Sequence, residues 1–261
     1  MAKRRSLIAV LVLLLVLASA PAAHAQVTAK ASVVTDGVGV SKIVVKLSSM
    51  SAVTAQNRPT KVIVVGGGET YPLTRVTSVA MTGTKLGTWK SAGFYGDGQD
   101  EVLALVGKQA TVKVTSRLGT TSSRPNVTSP DTMGRAAINE MTGYINGAAF
   151  RDYSPSGSER YDLHLCTDGW TRYYHDFNSE VGSVTTEKFG QPWSVTKALV
   201  NSSGTYARAL VHVTFTERND FDSGGSEINE PWDTLIEYSQ ETWYWAHDVA
   251  ETLLASCDPT F

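Results

Sequence analysis

Cysteine is scarce: two occur among 261 residues, too few for the dense disulfide framework that staples the smallest secreted scaffolds. Neither lies near the end of the leader described below, which argues against a lipid-anchored lipoprotein. Past that leader, no stretch approaches the roughly 18 uncharged apolar residues that a transmembrane helix needs, so no spanning helix is expected. The chain has no Gly-x-Ser-x-Gly elbow, no His-Glu-x-x-His pair and no phosphate-binding loop, so the common hydrolase signatures are missing. Nor does it have the Cys-Trp-Cys spacing of a true immunoglobulin domain. Tryptophan is nearly absent from the first half, where Trp89 is the only one before Trp170.

Residues 1–25 carry Lys3-Arg4-Arg5, an apolar block and a closing Ala23-His24-Ala25. These are the three regions of a secretory signal peptide, and they predict a secreted or periplasmic protein. The rest of the chain changes character partway. Residues 26–128 hold 12 basic and 5 acidic side chains, a net of +7, whereas residues 129–261 hold 8 and 20, a net of −12. Five of the six tryptophans fall in the acidic part. A step of this size predicts two domains: a basic one over 26–116 and an acidic, aromatic-rich one over 134–261. Between them, residues 117–133 are small, polar and proline-bearing, and read as an extended linker. Asn126-Val-Thr128 and Asn201-Ser-Ser203 fit the glycosylation sequon.

Residues 27–34, 38–48, 61–65, 73–82, 88–95, 102–106 and 109–116 are rich in Val, Thr and Ile and separated by turn formers. That spacing predicts an all-β fold, an antiparallel sandwich that is immunoglobulin-like by pattern. Lys61-Val-Ile-Val-Val-Gly-Gly-Gly68 mimics the first strand and glycine turn of a dinucleotide site, but Glu69-Thr-Tyr-Pro72 follows and no helix opens there. A tight turn between strands is the reading adopted.

In the second half a short helix is expected over 134–141, and strands near 148–153, 161–166, 170–175, 193–199, 207–216, 233–237 and 242–246, with a helical tail at 248–254. Such a meander predicts a small antiparallel barrel. Its strongest local signal is the hairpin around Asp168-Gly169. A two-residue turn there sets Cys166 opposite Thr171 and Asp162 opposite His175. Tyr161, Leu163, Leu165 and Tyr174 then share a core face, and Asp162, His164, Cys166, Tyr173 and His175 share the other.

Ile145-Asn-Gly147, Leu163-His-Leu-Cys-Thr-Asp-Gly169, Trp193-Ser-Val195 and the late Cys257 together resemble a type of small secreted bacterial lipocalin-like barrel domain. The resemblance covers the second half only. It implies a barrel in which a hairpin cysteine pairs with a terminal one, and it implies no activity. The chain departs from it at Ala246-His-Asp-Val249, where an Asn-Gly turn would stand. Independently, two cysteines in a secreted chain most simply form one structural disulfide, Cys166 to Cys257.

Three constellations carry chemistry. Asp162, His164 and His175, on one face in the register above, would suit a transition metal with open positions and so a metal-dependent hydrolytic enzyme. Asp220 and Asp222, before Gly224-Gly225, faintly echo a calcium loop. Trp170, Tyr173, Trp193, Trp243 and Trp245 offer rings to a sugar, an apolar ligand or a cation. The reading that results is a binding protein with no required cofactor and no catalytic residue assigned. Its barrel takes a small apolar or sugar-like ligand or a protein partner, and its basic domain faces anionic surface polymers, with no nucleic-acid partner expected. The alternatives are the metal enzyme and an adhesion or inhibitor module without a small ligand.

Overall fold

The computed structural model describes residues 26–179, 182–190, 192–220, 226–246 and 248–254. The protein is all-β, with two short helices among the described residues and sheets that curl around their cores. It divides into two compact units. One comprises residues up to Val33 with Lys42–Thr128, and the other comprises Val34–Ser41 with Ser129–Phe261.

The first unit is built on β1 (Val27–Thr35), β2 (Ser41–Ser49), β3 (Lys61–Gly66), β4 (Glu69–Arg75), β5 (Lys85–Lys90), β6 (Thr111–Ser116), β7 (Gly119–Ser123) and β8 (Val127–Thr128). They form one order, β7-β6-β3-β4-β5-β2-β1-β8. Alternate side chains enter the core: Ala31 and Val33, Ile43, Val45 and Leu47, Val62 and Val64, Val112 and Val114. Gly67 and Gly68 make the two-residue turn between β3 and β4, both at positive φ (64° and 90°), which is what a primed hairpin turn demands. The dinucleotide mimic is therefore a hairpin.

Two expectations are corrected here. Residues 102–106, expected as a strand, follow helix α1 (Gly96–Leu103) into a turn, and Val102 and Leu105 reach the core from there. Val102, Ala104 and Val106 alternate as a strand would, but the core takes Val102 and Leu105, three apart as on a helical turn, and the acidic residues before them stay outside. Residues 117–133, expected as a linker, carry β7, β8 and β9 (Thr132–Met133). Their small polar residues are edge strands, with β8 pairing in parallel to β1.

The second unit contains β9, helix α2 (Gly134–Ile145), β10 (Ala148–Tyr153), β11 (Glu159–Leu165), β12 (Thr171–Ser179), β13 (Gly182–Gly190), β14 (Ser194–Val200), β15 (Tyr206–Asp220), β16 (Ser226–Ser239), β17 (Thr242–Trp245), β18 (Asp248–Val249) and β19 (Glu251–Leu254). The order β18-β17-β16-β15-β13-β12-β11-β10-β19 is a meander of antiparallel neighbours, and β14 lies on β15 ahead of β13. The expected helical tail is instead β18 and β19. One residue, Ala250, separates them, so a single run pairs with β17 at its start and with β10 at its end. Thr252 and Leu254 stand opposite Phe150 and Ala148, so ladder bonds outweigh the weak helix preference of the segment.

Helix α2 buries Ala137, Met141 and Ile145, a spacing of four that puts them on one stripe. That stripe joins a core of Phe150, Leu163, Leu165, Val211, Val213, Phe215, Ile236 and Trp245. Val34–Ser41 belongs to this unit through polar contacts. Asp131 accepts hydrogen bonds from the amides of Thr35 (2.8 Å) and Ser202 (3.1 Å), and Ser239 Oγ donates to the Gly37 carbonyl at 3.1 Å.

Gly39 is constrained twice. Its φ is +81°, and an added Cβ would lie 2.5 Å from Cε2 of Tyr206. Gly39→Ala is therefore expected to destabilise the protein by at least ~1 kcal/mol. Gly143 sits inside α2 with open space around it, so Gly143→Ala should stabilise by about 0.5–1 kcal/mol. Urea unfolding of both variants tests this opposition of sign.

Candidate functional site

The β11–β12 hairpin turns on one glycine. The Gly169 amide donates to the Cys166 carbonyl at 3.0 Å, the Cys166 amide donates to the Trp170 carbonyl at 2.9 Å, and Gly169 has φ +92°. This is a three-residue turn with a left-handed bulge residue, not the two-residue turn expected. The extra residue moves the register by one. Leu165 faces Thr171, Leu163 faces Tyr173, and His175 stands opposite Tyr161, not Asp162. Tyr173 and His175 thus join the face of Tyr161 and Leu163, while Tyr174 joins Asp162 and His164.

That corrects the premise of the metal site, because His175 is on the opposite face of the sheet from Asp162 and His164. Asp162 is committed elsewhere: Arg151 Nε and Nη2 donate to its two oxygens at 2.6 and 2.7 Å, and Arg160 Nε lies 3.6 Å away. The bidentate contact raises the Arg151 pKa further. His164 packs edge-on against Tyr174, with ring centres 5.4 Å apart. His212 pairs with Asp233 at 2.7 Å across β15 and β16. Among the described residues no group of three His, Cys, Asp or Glu side chains could hold a metal ion. Of the calcium candidates, Asp220 ends β15 and Asp222 lies outside the described residues. Cys257 lies outside them too.

On the inner face, Glu159 receives two contacts at one oxygen. Tyr161 donates its hydroxyl, and Nε2 of His175 lies 3.0 Å away. The Tyr161 and His175 rings stack at 4.6 Å and 14°. The hydrogen bond from Tyr161, then the one from His175, holds the Glu159 carboxyl below its usual range. The same carboxylate pushes the Tyr161 phenol up to about 12.

Deeper in, Tyr173, Phe215, Trp232 and Trp245 form one aromatic cluster with ring centres 5.6 to 6.3 Å apart. Burial raises the Tyr173 phenol, with the Glu159 charge adding to it. Trp245 Nε1 donates to Thr234 Oγ1 at 2.9 Å, and Trp193 Nε1 to the Cys166 carbonyl at 3.1 Å. Both indoles are buried and satisfied, and act as core. Trp170 is exposed on the hairpin turn, apart from the cluster. Of the five predicted ligand rings, Trp243 lines a cavity formed by described residues.

That cavity lies at the end of the curled sheet where β15 begins. It measures about 370 Å³ and is lined by Tyr144, Val200, Gly204, Ala207, Tyr238 and Trp243. The rings of Tyr238 and Trp243 are 5.1 Å apart, and Phe150 backs Trp243 at 5.7 Å. A second, more open cavity of about 650 Å³ shares Gly204 and Tyr238 and adds Gly37, Val38, Thr205, Gln240 and Glu241. Gln240 and Glu241 form the two-residue turn between β16 and β17 and both sit at positive φ, 50° and 66°. Side chains other than glycine or asparagine are disfavoured there.

No family model, curated protein or solved structure matches this chain. The site is therefore read from its own geometry. Sequence reasoning named Trp243 but missed Tyr144 and Tyr238. The signal for Tyr238 was available, since Trp232, Thr234, Ile236 and Tyr238 alternate along β16 into the same interior. The sequon Asn201 is buried. Its Nδ2 donates to the Asp36 carbonyl and to Thr205 Oγ1, and its Oδ1 accepts from the Thr205 and Tyr206 amides.

Two predictions follow from these polar groups. Asp162→Ala leaves the part-buried Arg151 without its main partner and should cost about 3 kcal/mol in urea unfolding. In Tyr161 the folded phenol is raised, so its contribution to stability is complete below the unfolded value of 10.0 and is lost as pH rises through about 12. Ultraviolet titration should show one tyrosine ionising near 12, and in Glu159→Gln that tyrosine should return toward its ordinary range.

Proposed function

We propose that this is a secreted or periplasmic binding protein whose second unit is a lipocalin-like barrel that takes a small apolar or sugar-like ligand at one mouth. The observation that carries the reading is the aromatic cavity of about 370 Å³ formed by Tyr144, Val200, Ala207, Tyr238 and Trp243. Concave, mostly apolar sites with a few polar groups at the rim are where small ligands bind. The antiparallel meander and the joining of its two ends through Ala250 support barrel closure. In this reading the first unit is a sandwich whose excess of basic side chains, +7 over residues 26–128, favours anionic surface polymers. Among the described residues no helix is long and apolar enough to cross a membrane.

A Cys166–Cys257 disulfide belongs to the same proposal. Cys166 is fully buried, and no described cysteine is free. Leu254 pairs with Ala148, and the neighbouring Gly147 amide donates to the Leu165 carbonyl at 2.7 Å. The chain thus arrives beside the hairpin with two residues between Leu254 and Cys257, three steps that reach roughly 10 Å. Thiol alkylation of the unfolded, unreduced protein should find no free cysteine, and Cys166→Ser with Cys257→Ser should lower stability by about 2–4 kcal/mol.

The binding reading is tested by titrating the protein with N-phenyl-1-naphthylamine, a neutral apolar fluorophore. Saturable enhancement is expected, with Kd raised about tenfold or more in Trp243→Ala and unchanged in Trp170→Ala. Equal loss in both variants, or no saturable binding to the parent protein, would count against the mouth as the site.

A further inference from the structure

We infer that the ligand of this mouth is an organic cation, an ammonium or amidinium group carried on a short apolar body; the inference rests on the binding reading above and adds the charge of its ligand. Three aromatic side chains, Tyr144, Tyr238 and Trp243, line the smaller cavity. Ring faces carry negative quadrupole density and attract cations, most of all soft alkylated ammonium groups that are poorly hydrated. A sugar would also stack on such rings, but it needs several fixed hydrogen-bond partners. The smaller cavity is lined by apolar groups and two phenols.

The charge that lines the mouth has one sign. Among the described residues, Glu241 is the one ionisable side chain besides the tyrosines that lines either cavity, and no Lys, Arg or His lines them. Glu140 adds a second carboxylate, accepting the Tyr144 hydroxyl at 3.0 Å. Residues 129–261 as a whole have 20 acidic and 8 basic side chains, so the field steers cations toward this unit. The two cavities share Tyr238 and Gly204 in their walls, so Glu241 lines the cavity next to the rings.

The turn that presents Glu241 is disfavoured by its own backbone. At φ 50° and 66°, Asn-Gly would be the relaxed choice at Gln240 and Glu241. A strained pair of polar residues at the edge of a cavity fits a role in binding better than a role in folding.

The test uses three probes of nearly one shape: choline, its neutral isostere 3,3-dimethylbutan-1-ol, and the anion 3,3-dimethylbutanoate. Calorimetric titration of the full chain should show choline binding at least tenfold tighter than the alcohol, with the anion weaker still. Glu241→Gln should weaken choline several-fold and leave the alcohol unchanged. Replacing Gln240 and Glu241 together by Asn and Gly should raise the melting temperature while weakening choline, which separates binding from folding. If the alcohol binds as well as choline while N-phenyl-1-naphthylamine still binds, the cation inference fails and the apolar site stands. If neither choline nor the apolar fluorophore binds, both fail together.

Discussion

The second unit depends on one uninterrupted strand. Across its fifteen residues β15 pairs with β16 along one edge, and with β14 and then β13 along the other. Its inward side chains are Ala207, Ala209, Val211, Val213 and Phe215, a series that grows in volume from one end to the other. Facing strands complete the gradient. Tyr173 and Trp232 close on Phe215 at the wide-residue end, with Trp245 packed on both of them, whereas Ala207 leaves room beneath Tyr238 and Trp243. A curled sheet filled by a taper of side chains is solid where residues are large and hollow where they are small. The position of the cavity is thus written in the order of five side chains.

The polar groups divide along the same line. Asp162, buried on the outer face, takes two hydrogen bonds from the part-buried Arg151, and such pairs hold geometry more than they add stability. Glu159, Tyr161 and His175 form a second set on the inner face. Neither set lines the aromatic cavity. The groups at the mouth are ring faces, the phenols of Tyr144 and Tyr238, the carboxylate of Glu241 and, bonded to Tyr144, that of Glu140.

Much of the fold was legible because strands declare themselves by alternation. Ile43, Val45 and Leu47, and Val62 and Val64, could only be core in a sheet, and Gly67-Gly68 could only be a turn before Pro72. The site was less legible, for reasons that are local. Asp168-Gly169 serves a two-residue turn and a three-residue bulged turn equally well, and the choice of one residue carried His175 from one face to the other. Gln240-Glu241 lacks the glycine or asparagine that would have announced a tight turn, so the feature nearest the mouth gave no sign of itself. The apolar run Val102-Leu-Ala-Leu-Val106 fits a helical turn through Val102 and Leu105, or a strand through Val102, Ala104 and Val106, until the neighbours that bury it are known. Tryptophan content pointed to the right unit but could not separate Trp193 and Trp245, which are core, from Trp243, which is wall.

The central claim is that the taper of β15 leaves a real binding space, and filling that space tests it most directly. Ala207→Leu places a larger apolar side chain into the cavity, beneath the rings, while Glu241, Tyr238 and Trp243 keep their identities. Fluorescence titration with N-phenyl-1-naphthylamine, alongside a thermal melt, should find binding weakened at least tenfold with a melting temperature equal to or above that of the parent protein. Undiminished binding in a fully folded variant would contradict the account, because the probe would then be bound somewhere other than the space beneath Tyr238 and Trp243.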